Sequence, residues 1–273
     1  MLLNKQNLPL HFPTIMGICN VTKDSFSDGG QSYRTIEALK NIKLMYNHGA
    51  SIIDIGAESS RPYSDPINYQ QEIKKLEPIL KKIPKDKFFI SIDTNKIETQ
   101  EFALQQGVHI INDIFGGSED LFVLSKKYKN GLILMHTPAP PKTMQLMTHN
   151  YKNLIQDIRK IFKKKIKLLE KYKIPSSKVW LDPGIGFGKN LKQNISLLKN
   201  INKFKIKNYG LLLGASRKSW ISGVDGSLAN QRLGGSLATV LYCLEQGVDI
   251  FRVHDVQETK QMITIYQKIK CSK

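Results

Sequence analysis

Cysteine is scarce in this sequence, which has only Cys19, Cys243 and Cys271 among its 273 residues. An odd and sparse set without CxxC spacing argues against a disulfide framework and against a structural zinc site. We therefore expect free thiols and a reducing compartment.

Long apolar runs are missing as well. No stretch reaches the roughly 18 apolar residues expected of a membrane-spanning helix. The first 13 residues, MLLNKQNLPLHFP, lack the apolar core of a signal peptide. We expect a cytoplasmic protein with no membrane partner.

Acidic residues are in the minority, with 23 Asp and Glu against 41 Lys and Arg and a formal net charge of +18. A basic excess of this size can indicate a nucleic-acid partner. The lysines, however, crowd helix-like segments such as 158–173, where apolar residues recur at helical spacing and lysines fill the other face. No aromatic RNA-binding pattern or helix-turn-helix signature accompanies them. We expect no nucleic-acid partner, and a basic nucleic-acid-binding protein is kept as the alternative from a different class.

Short β-rich runs alternate with longer amphipathic runs, a pattern typical of βα units around a parallel sheet. The predicted strands are 14–20, 51–56, 88–94, 109–113, 132–136, 179–183, 210–216 and 250–255. The predicted helices lie near 34–48, 68–82, 96–106, 119–129, 150–173, 190–206, 228–246 and 256–269. Glycines that predict left-handed helix ends are Gly49, Gly107 and Gly247. The sequence therefore predicts an α/β protein, a single-domain (β/α)8 TIM barrel over residues 14–273, after an N-terminal extension of residues 1–13.

Four polar residues end four different predicted strands: Asp93, Asn112, Asp182 and Lys218. In such barrels the βα loops converge at the carboxyl ends of the strands, so chemistry is expected there. Two carboxylates, an amide and a cation suit a flat heterocycle with mixed donors and acceptors, such as an aminopyrimidinone edge. Taken singly, each residue has an ordinary explanation as a cap, a turn residue or an exposed amine. The four together favour a ligand site.

A second set consists of Arg61, Arg252 and His254. Arg252 and His254 are two residues apart, so their side chains point to the same side of a strand. A guanidinium beside an imidazole suits an oxyanion such as phosphate or pyrophosphate. For His136 we favour a buried core histidine instead.

Oxygen donors follow the first predicted strand, at Asn20, Asp24 and Asp28. Such a set suits Mg²⁺ that keeps several waters and bridges to phosphate oxygens, and it does not suit zinc. The segment DPGIGFGK, residues 182–189, places three glycines around Phe187. It is weak as a phosphate loop, because it fits neither the GxGxxG nor the Walker A spacing.

Eight short motifs lie in register along the chain and resemble those of the dihydropteroate synthase family. In order they are ICNVTKDSFSDGG, AESSRP, SIDT, INDI, LMH, DPGIGFGK, GASRKS and RVHD, within a similarity that runs from about Thr14 to Glu258. The resemblance implies a (β/α)8 enzyme of folate synthesis. It would condense 6-hydroxymethyl-7,8-dihydropterin pyrophosphate with 4-aminobenzoate to give 7,8-dihydropteroate and pyrophosphate, with Mg²⁺ as cofactor, as a homodimer.

The resemblance also implies a role for each matching residue. The pterin would be held by Asp93, Asn112, Asp182 and Lys218, with Met135 and Arg252 against the ring. The pyrophosphate would be held by Arg61, Arg252 and His254, and by Asn20 through Mg²⁺. The aminobenzoate pocket would be formed by Phe26, Ser60, Pro62, Phe187 and Ser219. Asp93 and Asp28 would stabilise the pterin cation left when pyrophosphate departs, since fixed anions lower a barrier at which positive charge develops.

Departures from the family pattern are local. Lys23 stands where the family usually has proline, Ser60 where it has threonine, Tyr63 where glycine follows Arg-Pro, and Ala57 where glycine is common. Lys23 frees a φ angle that proline would fix. Tyr63 is poorly suited to any positive φ that glycine allowed. We predict altered affinity for aminobenzoate or sulfonamides rather than loss of activity.

Two alternatives share the fold. A pterin-binding methyltransferase barrel would use Asp93, Asn112 and Asp182 but has no use for the pyrophosphate residues in SRKS and RVHD. A noncatalytic paralogue acting as a partner subunit is disfavoured because every proposed ligand position is intact.

Overall fold

The computed structural model describes residues 10–21, 31–59, 63–148 and 151–271, with residues 31–33 described by their backbone alone. Eight parallel strands pair in sequence order and close into a barrel, which confirms the predicted single-domain (β/α)8 fold. The strands are β1 (Thr14–Asn20), β2 (Ile52–Gly56), β3 (Phe89–Asp93), β4 (Ile110–Asp113), β5 (Gly131–Met135), β6 (Val179–Asp182), β7 (Gly210–Leu213) and β8 (Ile250–Val253). The α-helices are α1 (Gln31–Asn47), α2 (Tyr69–Leu80), α3 (Ile97–Gln105), α4 (Glu119–Tyr128), α5 (Leu154–Lys171), α6 (Leu191–Lys199), α7 (Ser219–Asp225), α8 (Leu233–Glu245) and α9 (Val256–Cys271).

The region after β7 differs from the prediction of one helix over 228–246. The structure places the short helix α7 first and begins α8 at Leu233. Leu228, which the apolar pattern assigns to the helix, is 65% exposed and precedes a 3-10 turn. A helix as short as α7 spans only about two turns, too few for an apolar period to show in a sequence. It ends at Gly226, whose φ of 74° makes a left-handed cap.

Helix ends elsewhere follow the local sequence. The predicted glycine caps are left-handed, with φ of 99° at Gly49, 80° at Gly107 and 79° at Gly247. Helices α2 and α6 begin after Asn68 and Asn190, whose side chains accept from the backbone N–H three residues on. Backbone N–H groups in the first turn of a helix have no carbonyl partner within the helix, and here the side-chain oxygens of Asn68 and Asn190 each accept from one of them. The start of each helix is therefore fixed by its local sequence.

The lower half of the barrel interior is filled by one apolar side chain from each strand. We call this set the basal layer: Met16, Ile52, Phe89, Ile110, Ile133, Trp180, Leu212 and Ile250. Leu10 packs in the same cluster, so the predicted N-terminal extension touches the barrel at that residue. A second, larger core lies between the strands and the helices. Both faces of the strands are therefore covered, which explains their almost uninterrupted apolar sequences.

None of the helices in the described part of the chain is long and apolar enough to cross a membrane.

Candidate active site

The site lies directly above the basal layer. Alternate residues of a strand point to the same side, so the residue two positions beyond each basal residue also faces the barrel axis. We call this set the mouth layer: Ile18, Asp54, Ser91, Asn112, Met135, Asp182, Gly214 and Arg252. Some neighbours in this set are paired directly, as Ile18 is with Asp54 and Met135 with Asp182, and others are offset by two residues, as Ser91 and Asn112 are. Asp93, two residues past Ser91, stands beside Asn112.

Arg252 is the cationic centre of the mouth layer. Its Nε donates to Asp54 Oδ2 at 2.6 Å and its Nη2 to Asp93 Oδ2 at 2.8 Å. Asn112 Nδ2 donates to the same Asp54 oxygen at 3.0 Å. Burial acts to lower the pKa of Arg252, but Asp54 and Asp93 outweigh it and its pKa lies above the ordinary value. The guanidinium is thus held charged and in one orientation by two carboxylates.

Asp93 is the carboxylate of this group that lies closest to the opening. Burial raises its pKa, and the charge of Arg252 acts against that rise. It accepts from Arg252 Nη2, and its side chain stays 14% exposed. The structure therefore brings together three of the predicted residues, Asp93, Asn112 and Arg252.

Asp54 was missed by the sequence reasoning, which considered only strand ends. It is completely buried in the middle of β2, and its Oδ1 has no hydrogen-bond partner among the described residues. A carboxylate inside the apolar run SIIDIG is itself a signal, because burying a charge is costly unless it is paired. Its two-residue spacing after Ile52 matches that of Asn112 after Ile110.

Lys218 and Phe187 meet on the other side of the opening. The Lys218 ammonium lies 4.0 Å from the centre of the Phe187 ring, a cation–π contact. Desolvation lowers the pKa of Lys218 to about 8, and Arg252 adds to this while Asp182 opposes it. The preceding residue, Arg217, has a φ of 55°, and Arg232 donates to its carbonyl at 3.1 Å. The left-handed turn directs the chain into the short helix that follows.

Asp182 ends β6 beneath the glycine-rich segment 182–189. Its Oδ1 accepts from the Gly184 N–H at 2.7 Å. Burial raises its pKa, whereas the bond from Gly184 and the charge of Lys218 act in the opposite direction. Lys189, at the far end of the segment, is 3% exposed. A lysine buried in this way is not placed to bind a phosphate.

The remaining described residues line the rim. His254 is exposed, and its backbone N–H donates to Ser216 Oγ at 3.2 Å, with its Nδ1 at the same distance from that hydroxyl. Ser219 is the exposed first residue of α7. Met135 packs with Phe187 and Met144 in a small apolar cluster.

His136 is buried, as expected for a core histidine, and burial lowers its pKa to about 3. Its ring packs against Tyr151 at a centroid distance of 5.9 Å. It therefore stays neutral at ordinary pH.

Asn20 ends β1 at the rim. It pairs with Gly56 of β2, which in turn pairs with Asp93 of β3, so only β2 separates the two side chains. Among the described residues, no three His, Cys, Asp or Glu side chains form a metal cluster. The donor set at this corner consists of an amide oxygen and nearby carboxylates. It fits a hydrated Mg²⁺ shared with a phosphate better than a dedicated all-protein metal site.

Several predicted site residues lie outside the described part of the chain: Phe26, Asp28, Ser60, Arg61 and Pro62, together with Lys23 and Asp24. Their roles stay predictions. Tyr63 is described, and its φ of 66° is in the left-handed region, at the position where glycine was expected. Its N–H donates to Pro141 O at 3.1 Å, and its side chain is 67% exposed.

Comparisons with known proteins agree with this geometry. The family description "Pterin binding enzyme" matches residues 16–254. The dihydropteroate synthase of Escherichia coli strain K12 is 40% identical over 264 residues, which covers 96% of this chain and 93% of that protein. The chain belongs to the dihydropteroate synthases. Its function is therefore the synthesis of dihydropteroate, and neither the methyltransferase nor the nucleic-acid alternative is supported.

Solved structures of this family have the same fold. The Yersinia pestis dihydropteroate synthase, solved with a sulfonamide drug complex, superposes with a TM-score of 0.91 at 35% identity, covering 100% of this chain and 99% of the other. The Clostridium difficile enzyme, solved in the presence of pteroic acid, gives a TM-score of 0.89 at 36% identity and covers 96% and 98% of the two chains. Dihydropteroate synthases thus share with this chain the barrel that builds the site.

Proposed function

We propose that the mouth of this dihydropteroate synthase binds 6-hydroxymethyl-7,8-dihydropterin pyrophosphate with the pterin ring inside the barrel. The observation that supports this most directly is the bonded group of Asp54, Asp93, Asn112 and Arg252. The ring edge would be read by acceptors at Asp93 and Asp182, by the amide of Asn112 and by the Lys218 ammonium. Arg252, fixed from below, would lie flat against the ring, with Met135 on its apolar side.

The pyrophosphate would lie at the rim. Arg252 in β8 and His254 directly after that strand would face it, and Arg61 is proposed to join them. Asn20 would hold Mg²⁺ together with the phosphate oxygens, and the ion would supply positive charge to the departing pyrophosphate. Positive charge and hydrogen-bond donors around a leaving anion are what this step requires.

The reaction would proceed by breaking the C–O bond between the pterin methylene and pyrophosphate, with the electron pair leaving on oxygen. The resulting cation is delocalised into the pterin and faces the Asp93 carboxylate, with Asp28 as the proposed second anion. The nitrogen lone pair of 4-aminobenzoate then forms the new C–N bond and the nitrogen loses a proton to solvent. The amine would be presented by a pocket of Phe26, Ser60, Pro62, Phe187 and Ser219. No enzyme nucleophile is needed.

The test is Mg²⁺-dependent release of pyrophosphate with and without 4-aminobenzoate, using Asp93→Asn as the deficient variant. The matched control is Asp113→Asn, because Asp113 is also a strand-end carboxylate but accepts hydrogen bonds from Gln100 Nε2 at 3.0 Å and from the Phe115 N–H at 2.7 Å rather than from Arg252. We expect Asp93→Asn to lose at least about 100-fold in kcat while Asp113→Asn keeps most of its activity. An inactive wild-type enzyme, or equal losses in both variants, would contradict the proposal.

We propose further that the enzyme is a homodimer formed through α6, α7 and α8. A cavity of about 400 Å³ opens between these helices and is lined by Leu198, Trp220 and Ile221. Apolar residues beside it are exposed, including Val224 at 65% and Ile195 at 45%. An apolar face of this kind suits a second copy of the chain. Light scattering should give a dimer for the wild type and a monomer for Val224→Glu; a monomeric wild type would refute the proposal.

We also propose the reducing cytoplasm as the compartment. Cys19, Cys243 and Cys271 are all free thiols, and burial raises the pKa of the first two to about 12. Recovery of the protein in an exported fraction of the cells that produce it would contradict this.

A further inference from the structure

Lys189 is a buried lysine that the proposed reaction does not use. Burial lowers its pKa to about 7, and the charge of Asp182 acts against that fall. Lys189 Nζ donates to Phe187 O at 2.7 Å, to Gly184 O at 2.9 Å and to His136 O at 3.4 Å, and it lies 3.3 Å from His136 Nδ1. A buried ammonium is costly unless it is hydrogen-bonded, and these three carbonyls supply its bonds. The side chain therefore faces the backbone of the segment 182–189 rather than a ligand.

The shape of that segment explains why a hydrogen-bond donor is needed there. Gly184, Gly186 and Gly188 all have left-handed φ angles, of 72°, 82° and 60°. At Gly184 a Cβ atom would lie 2.1 Å from His136 O, so the segment runs in tight contact with the end of β5. Carbonyl oxygens that converge on one point repel one another, and the hydrogen bonds that Lys189 Nζ donates to them offset that repulsion.

The segment is also fixed from the side of α6. Asn194 is 2% exposed, and its Oδ1 accepts from the Gly186 N–H at 2.7 Å while its Nδ2 donates to Lys189 O at 2.9 Å. Phe187, between the residues held by Lys189 and Asn194, donates its own N–H to Gly184 O at 3.2 Å. Its ring emerges on the opposite side, under the Lys218 ammonium.

We propose that Lys189 is a positioning residue for the aminobenzoate half of the reaction. Lys189 Nζ bonds to the carbonyls of both Gly184 and Phe187. These bonds fix the backbone of Phe187 and so the position of its ring relative to the Lys218 ammonium. This inference rests on the proposed function, in which Phe187 borders the aminobenzoate pocket. On this proposal, the segment 182–189 holds the Phe187 ring at the edge of the aminobenzoate pocket and does not bind phosphate.

The first test is Lys189→Met, which removes the charge and the donors but keeps the length of the side chain. We expect the KM for 4-aminobenzoate to rise about tenfold and the KM for the pterin pyrophosphate to change less than about threefold. The control is Lys165→Met. Lys165 is also partly buried and donates to a loop carbonyl, Gly117 O at 2.5 Å, in the segment after β4 rather than in the segment 182–189. Its removal should leave both KM values within about twofold of the wild type.

A double-mutant cycle separates positioning from a general loss of structure. In a Phe187→Leu background, Lys189→Met should raise the aminobenzoate KM by less than about twofold, because the ring through which it acts is gone. Lys189→Gln keeps an N–H donor and should recover part of the effect. If Lys189→Met does not fold, as judged by thermal unfolding, Lys189→Gln is tested in its place, with an intermediate rise in the aminobenzoate KM expected.

An unchanged aminobenzoate KM, or an undiminished effect in the Phe187→Leu background, would overturn the inference. A wild-type enzyme that fails to join the two substrates would instead overturn the proposed function, before any variant is compared.

Discussion

The basal and mouth layers are built by the same eight strands, two residues apart, and yet they have opposite chemistry. The basal layer consists of apolar side chains, including Trp180 and Phe89. In the mouth layer, Asp54, Asn112, Asp182 and Arg252 replace them with charges and an amide. A step of two residues moves a side chain about 7 Å along a strand without changing the side it faces. The packed core and the polar site therefore lie on the same side of the same strands, and one is about 7 Å further along the strands than the other.

The comparison teaches where stability and activity are separated. The basal layer is dry and close-packed, so its residues should mainly affect unfolding. The mouth layer contains buried charges that are costly in a folded protein and are retained for binding. Substitutions in the two layers should consequently change different measurements.

The largest expected effect is on stability, from Trp180→Ala in the basal layer. Trp180 is 2% exposed and its ring occupies the space beside Gly210. Its removal should lower the free energy of unfolding by about 3–5 kcal/mol because of lost contacts and the cavity left behind. Urea unfolding measures this change. The kcat of the molecules that remain folded should stay within about threefold of the wild type; a large loss of kcat would show that the layers are not separable.

The next effect is expected from Asp54→Asn in the mouth layer. The substitution keeps the shape but removes the charge that holds Arg252 Nε and Asn112. We expect kcat/KM for the pterin pyrophosphate to fall about 30-fold, equivalent to roughly 2 kcal/mol. Steady-state kinetics tests this. Ser91→Ala, a neutral change at the same height on the next strand, serves as the control; a comparable loss there would rule out a specific role for Asp54.

The pH dependence of kcat/KM tests whether the charge of Lys218 at the mouth contributes to binding. The pKa of Lys218 is lowered to about 8, so its ammonium loses its proton as the pH rises through that value. If the charge binds the pterin, kcat/KM should decline above pH 8 by about tenfold per pH unit. Lys218→Arg keeps the charge and should move the decline to higher pH. A decline that stays at pH 8 in that variant would assign it to another group.

The smallest effect concerns Tyr63, at the edge of the mouth. A left-handed φ costs a non-glycine residue about 1 kcal/mol or more, and the side chain of Tyr63 is largely exposed. Tyr63→Gly should therefore be more stable than Tyr63→Ala by about 1 kcal/mol in urea unfolding. We also expect Tyr63→Gly to alter the KM for 4-aminobenzoate without abolishing activity. Equal stability of the two variants would show that no strain is relieved.

Much of the fold could be predicted from the sequence, because each strand has an apolar run and each helix its own cap or apolar period. Asn68, Asn190 and the glycine caps act within a few residues of themselves, so their effects are local. Helix α7 could not be predicted, because its seven residues are too few to show a helical period of apolar residues. Within the site, Asp93, Asn112 and Arg252 were identified as strand-end residues, and the structure joins them. A search of strand ends finds neither Asp54, which lies inside β2, nor Lys189, which lies at the end of the segment 182–189.

The sequence by itself determined the number of βα units, the apolar phase of each strand and the set of polar residues at their carboxyl ends. These depend on patterns of period two or on neighbours along the chain. Only the tertiary structure decided that Arg252 bonds to Asp54 and Asp93, which lie 198 and 159 residues away in the chain. Closure of the barrel brings the first and last strands side by side, and the charges of distant motifs then balance one another at the carboxyl ends of the strands.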